Sequence, residues 1–78
     1  MSEVTLLEEL ARRLVDEPDA VRVDTAEEDG ALVLRLYVAQ DDVGKVIGRQ
    51  GRIARALRTV VRASAGRGER RVQLEIMD

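Results

Sequence analysis

Residues Ala31–Val38, ALVLRLYV, place Leu32, Leu34, Leu36 and Val38 on one side of an extended chain and Val33, Arg35 and Tyr37 on the other. A strand that is apolar on one side must bury that side against another layer, so the chain cannot be a bundle of helices or a free-standing hairpin. Immediately before it, Glu27-Glu28-Asp29-Gly30 reads as a turn, because Asp-Gly adopts positive φ at low cost. That turn predicts a partner strand over Ala20–Thr25, with Val21 and Val23 on one face and Arg22 and Asp24 on the other.

The covering layer is legible as helices. Val4, Leu7, Leu10, Ala11 and Leu14 recur at three- and four-residue spacing, and Pro18 ends the segment by disfavouring helical geometry at Glu17. Asp41 or Asp42 can cap a short helix carrying Val43, Val46 and Ile47, which stops at Gly48. A long helix follows from about Arg52 to Ala65. The loop Gly66-Arg67-Gly68 leads to a last strand in which Val72, Leu74 and Ile76 alternate with Arg71, Gln73 and Glu75. The order α-β-β-α-α-β makes a two-layer α+β sandwich, a three-stranded sheet covered on one face by three helices. Seventy-eight residues suit a single domain, residues 1–78, with a simple core.

Composition narrows the chemistry. There is no cysteine and no histidine, which removes disulfides, the usual zinc sites, thiol nucleophiles and imidazole bases. Consecutive acids such as Glu27-Glu28-Asp29 diverge in a turn and are solvated, so neither a metal site nor a catalytic residue is expected, and no cofactor. Gly44, Gly48 and Gly51 fit neither the dinucleotide fingerprint nor the Gly-Lys-Ser/Thr phosphate loop. The longest apolar run is far too short to span a membrane and the first residues are acidic rather than basic, which predicts a cytoplasmic location and no membrane partner.

The formal charge of −2 conceals an asymmetry: residues 1–42 hold twelve acids and four bases, whereas residues 43–78 hold three acids and nine bases. On a helical wheel Ile53, Ala56, Leu57, Val60, Val61 and Ser64 fall within about 140° of arc, and Arg52, Arg55, Arg58 and Arg62 fall opposite. Just before this helix, Gly48-Arg49-Gln50-Gly51 joins it to its short predecessor. Such a corner gathers backbone amides and a positive helix end, and glycine removes the side chain that would keep a phosphate away.

Val46-Ile47-Gly48-Arg49-Gln50-Gly51-Arg52-Ile53 resembles the Ile-Gly-x-x-Gly-x-x-Ile core of KH domains, with Ile47 at the aliphatic position before the first glycine. It departs from that pattern at the end, where Ile53 lies two residues after Gly51 and Ala54 lies three after. A helix and two strands before the motif and one strand after it match the type II KH arrangement, whose sheet is mixed. The length and the block VGKVIGRQGRIARALRTVVRA look like the stand-alone bacterial KH proteins of the KhpA (YlqC) family. That resemblance implies binding of single-stranded RNA, an RNA-chaperone type of activity, and partnership with a second copy or with a KhpB (Jag)-like protein. Carried over, it implies that Gly48, Arg49, Gln50 and Gly51 clamp the backbone of about four nucleotides. Val43, Val46, Ile47 and Ile53, with the edge of the second strand near Leu36 and Val38, would line an aliphatic groove for bases, and Lys45, Arg52 and Arg55 would add phosphate contacts. The alternative is a KH-fold scaffold that works through its acidic first helix and the sheet face of Val33, Arg35 and Tyr37.

Overall fold

A computed structural model describes residues 2–65 and 71–78; the expected Gly66-Arg67-Gly68 loop lies outside the described residues. The elements are α1 (Glu3–Leu14), β1 (Arg22–Glu28), β2 (Ala31–Tyr37), α2 (Val43–Ile47), α3 (Arg52–Ala65) and β3 (Val72–Ile76). The sheet order is β1-β2-β3, with β1 and β2 antiparallel and β2 and β3 parallel. Parallel neighbours need a crossover connection, and α2 and α3 supply it. Backbone pairing extends past both ends of β3, from Leu32 N–H to the Arg71 carbonyl and from Met77 N–H to the Leu36 carbonyl.

Alternation decides what the sheet buries. Leu34 and Leu36 on β2 and Val72 and Leu74 on β3 meet Leu7 and Ala11 of α1, Val46 of α2, and Leu57 and Val61 of α3 in one core. Complete burial of a leucine such as Leu34 contributes about 1.5–3 kcal/mol. Ser2 caps α1, its hydroxyl accepting the Thr5 N–H at 3.1 Å. The helix ends at Leu14 with Val15 extended, three residues ahead of Pro18, which instead opens a single 3-10 turn over Pro18–Ala20.

Two boundaries differ from the sequence expectation. β1 begins at Arg22 and runs to Glu28, so Glu27 and Glu28 belong to the strand rather than to the turn. Asp29 and Gly30 both sit at positive φ (52° and 79°), the requirement of a two-residue type I′ hairpin, which leaves Glu28 free to pair opposite Ala31. On α3 the buried residues are Ala54, Leu57 and Val61, while Ala56 and Val60 are exposed. The apolar arc is shared: one flank enters the core, and the other faces α1 across an open groove of about 270 Å³ that Leu10, Leu14 and Val60 help to line.

The outer sheet face is not the open surface that alternation suggests. Val33 points away from the helices yet is 0% exposed. Its cover is Arg35, whose guanidinium reaches Glu28 at 2.6 Å and Glu75 at 3.2 Å. Glu28 lies opposite Ala31, so the Arg35 side chain must pass over position 33 to reach it. The hydrogen bond that Arg35 donates to Glu75, opposed by partial burial and reinforced by the charge of Glu28, raises the Arg35 pKa further above its ordinary value. At the next pair Arg22 lies 4.1 Å from the centre of the Tyr37 ring.

Candidate nucleic-acid interface

α2 has five residues, too few to persist as an isolated helix. Its place is set by its neighbours. Val46 is fully buried in the core, and Asp42, the residue before the helix, is 1% exposed. Asp42 does not cap α2 with its side chain, as the sequence suggested. Its carboxylate accepts the Glu17 N–H at 3.0 Å and the Lys45 ammonium at 3.2 Å, and Lys45 also pairs with Asp16 at 3.2 Å.

Burial pushes the Asp42 carboxyl upward, but the Lys45 ammonium and the amides of Glu17 and Asp16 outweigh it and hold the pKa below the usual carboxylate range. Hydrogen bonds donated to the carboxylates of Asp42 and Asp16 raise Lys45 above its ordinary value. A depressed carboxyl contributes stability that is fully present above its unfolded pKa of about 3.9 and is lost as pH falls through the lower folded value. Acid titration followed by circular dichroism is therefore expected to show stability falling below about pH 4, with a flatter profile for Asp42→Asn. An identical profile in the variant would remove Asp42 from that account.

α2 stops because Gly48 turns to φ 76°, ψ 173°, its N–H still donating to the Gly44 carbonyl at 2.9 Å. A Cβ there would lie 2.9 Å from the Ile53 Cβ and 3.0 Å from its amide nitrogen, and would overlap Cγ1. What comes close to Gly48 is thus Ile53 of the same chain. Gly51 differs: it has φ 73°, but a Cβ built on it meets nothing within 4 Å. Between them Gln50, a residue with a side chain, is left-handed at φ 59°, ψ 23°. The Arg55 guanidinium donates to the Gln50 carbonyl at 2.8 Å, and that of Arg52 to the Gln50 side-chain oxygen at 3.3 Å. The Gly51 N–H is taken by the Gly48 carbonyl at 3.1 Å and the Arg52 N–H by the Arg49 carbonyl. The corner therefore offers fewer spare amides than the sequence implied.

The structure brings Ile47, Arg49, Gln50, Arg52 and Arg55 to one exposed corner. Arg49 has no ion pair or side-chain hydrogen bond among the described residues. Lys45 is turned to its two carboxylates. Val43 and Ile53 are half-buried and Ile47 is 37% exposed, whereas Val46 is sealed in the core and can only underlie a groove. Leu36 is likewise sealed, on a strand that is central rather than at an edge, so the edge expected near Leu36 and Val38 does not exist; the edges are β1 and β3. Sequence reading offers Asp42 only as a helix cap and does not single out Asp16. The Asp42–Lys45 spacing of three was visible, but the contact with Glu17 spans 25 residues.

A three-stranded mixed sheet under three helices in the order α-β-β-α-α-β, with a Gly-x-x-Gly turn between its last two helices, defines a type II KH domain. The model of the family described as "KhpA/KhpB, KH domain" matches residues 4–76, and the chain belongs to that family. It is 49% identical over 77 residues to the RNA-binding protein KhpA of Borreliella burgdorferi, covering 99% of this chain and 94% of that one. It is 53% identical to the RNA-binding protein KhpA of Halalkalibacterium halodurans (95% and 97% covered) and 53% identical to that of Treponema pallidum (96% and 99%). These relatives are named as RNA-binding proteins and not as enzymes. In fold the chain is similar to crystal structures of Era: one from Aquifex aeolicus (TM-score 0.63, 22% identity, 95% of this chain and 29% of that one) and one in complex with nucleotides of 16S ribosomal RNA (TM-score 0.64, 19%, 96% and 30%). Among the described residues no helix is long and apolar enough to cross a membrane.

Proposed function

We propose that this chain binds single-stranded RNA in the cytoplasm without catalysing a reaction. Arg49 and the turn Gly48–Gly51 grip the sugar-phosphate backbone of about four nucleotides. Arg52 and Arg55 hold the turn and add positive charge, and Val43, Ile47 and Ile53 offer apolar surface to the bases. The single observation that carries this reading is the Arg49 guanidinium, without a partner among the described residues, at the exposed Arg49–Gln50 tip of a Gly-x-x-Gly turn in a KhpA/KhpB-family chain. The scaffold alternative has less support: of its sheet surface, Val33 is buried, Arg35 is doubly paired and Tyr37 lies under Arg22.

One copy binds weakly in this reading. Tyr37 is the only aromatic residue and is committed to the sheet face, so the base stacking worth about 1–3 kcal/mol per base elsewhere is absent. A second copy, or a KhpB-like partner, raises affinity by joining two sites. The open groove between α1 and α3, where Leu14 is 36% and Val60 41% exposed, gives such a partner an apolar face. The test is anisotropy of a fluorescein-labelled random-sequence 12-mer RNA between 50 and 200 mM KCl, with light scattering on the same samples. If about three phosphates are neutralised, affinity falls about twentyfold over that range. Salt-independent binding, or none, would sink the phosphate grip; a mass of one chain would sink the self-association.

A further inference from the structure

The turn that grips RNA in the reading above hangs from α2, a helix of one and a half turns that needs external anchors. One anchor is hydrophobic, Val46 in the core. The other is polar and lies one turn earlier. The Asp42 carboxylate, the only buried charged group among the described residues, joins three pieces of chain at once: one oxygen takes the Glu17 N–H from the connection between α1 and β1, and the other takes the Lys45 ammonium from the middle of α2. Lys45 closes the circuit by pairing with Asp16 on that same connection. Gly48 follows three residues later, its N–H still bonded to Gly44 of the clamped turn.

From this geometry we infer that Asp42 and Lys45 are positioning residues for the Gly48–Gly51 turn, and that Lys45 acts through α2 rather than by touching RNA. Charge supports the second half. An ammonium with carboxylates on two sides leaves a local surplus of negative charge, so an incoming phosphate gains little there, whereas Arg49 has no such partners among the described residues. Sequence alone points the other way, because a lysine three residues before a Gly-x-x-Gly looks like a phosphate ligand. Removing the ammonium leaves α2 with its apolar anchor and one backbone bond to Asp42, and the turn loses its fixed register with α1.

The inference rests on the RNA-binding reading, so its test has one readout that needs no RNA. Amide hydrogen exchange by NMR is measured for Gly48 and Gly51 in wild type, Lys45→Met, Lys45→Arg and Asp42→Asn, with the core amides of Leu7 and Ala11 as internal reference. Lys45→Met, a surface change that leaves the core intact, is expected to speed exchange at Gly48 and Gly51 about tenfold without moving the reference amides, and Lys45→Arg to restore protection. If Asp42→Asn unfolds, Lys45→Met carries the test alone. Unchanged exchange at Gly48 and Gly51 overturns the inference whether or not RNA binds. The second readout uses the 12-mer: Lys45→Met is expected to weaken binding several-fold with the salt slope unchanged, whereas Arg49→Ala lowers the slope by about 0.7. A slope drop in Lys45→Met equal to that of Arg49→Ala would make Lys45 a direct phosphate contact and overturn the inference. No binding by wild type, with the exchange effect intact, would sink the RNA reading and leave the clamp standing.

Discussion

Gly48→Ala is expected to destabilise the domain by about 3 kcal/mol, and Gly51→Ala by half of that or less. Both glycines sit at positive φ, so both variants carry backbone strain. Gly48 combines φ 76° with ψ 173°, a region that is essentially glycine's own and costs a side-chain-bearing residue about 1–3 kcal/mol. It also has a neighbour: the new methyl would overlap Ile53 Cγ1 and press on its Cβ and backbone nitrogen. Ile53 is in the first turn of α3 and packs against the core, so it cannot retreat without tilting the helix or abandoning its rotamer, and overpacking of this kind adds about 1–3 kcal/mol. At Gly51 there is open space, and only strain remains. In a domain this small, 3 kcal/mol is a large share of a total of about 5–8 kcal/mol and lowers the melting temperature by about 15 °C. Urea unfolding followed by circular dichroism measures the difference. A control sharpens it: in an Ile53→Ala background Gly48→Ala should cost less, because the Cγ1 overlap is gone while the strain persists. Equal costs at Gly48 and Gly51 would mean that Ile53 does not dictate the glycine.

That pair shows where sequence reading succeeds and where it stops. The break of the helix at Gly48 is local and was legible, as were the alternation of β2, the Asp-Gly hairpin and the order of elements, since each follows from the conformational preferences of adjacent residues. The reason for the glycine was not. Sequence makes both glycines look like openings for phosphate; Gly51 is open, but Gly48 is filled from within by Ile53, a neighbour five residues on. The departure of the motif at its end has a similar account. Ala54, three after Gly51, is the position that faces the core at 5% exposure, while Ile53 packs on the flank beneath Gly48. The burial of Val33 and Asp42 is not legible in the local sequence because it depends on groups far along the chain: Arg35 needs Glu28 and Glu75 in register to roof Val33, and Asp42 needs the amide of Glu17. Periodicity assigns faces, but it does not say which polar side chain will cover an apolar one.

Replacing Arg49 and Gln50 together by Asp is expected to leave the fold intact and to reduce binding of the 12-mer RNA by about thirtyfold. The fold should survive because neither side chain supports the core. Arg49 has no partner to lose among the described residues, the Arg55 bond to position 50 goes to the backbone carbonyl, and Asp tolerates the left-handed conformation at 50 better than most residues. Arg52, which donates to the Gln50 side chain, finds a carboxylate in its place. The charge at the tip changes by three units, from one positive to two negative. At about 6 Å in a water-like dielectric each unit is worth about 0.7 kcal/mol against a phosphate, so the variant loses about 2 kcal/mol. A matched control separates local from general repulsion: Arg22→Asp with Gln73→Asp alters the net charge by the same three units on the outer sheet face, where both residues are exposed. That variant should lose only a few-fold, an effect that vanishes near 200 mM salt because screening acts over about 10 Å. Retention of RNA binding by the tip variant, or equal losses in the two, would move the RNA site away from Gly48–Gly51; a thirtyfold loss at the tip alone, with the circular dichroism spectrum unchanged, ties the RNA backbone to that turn.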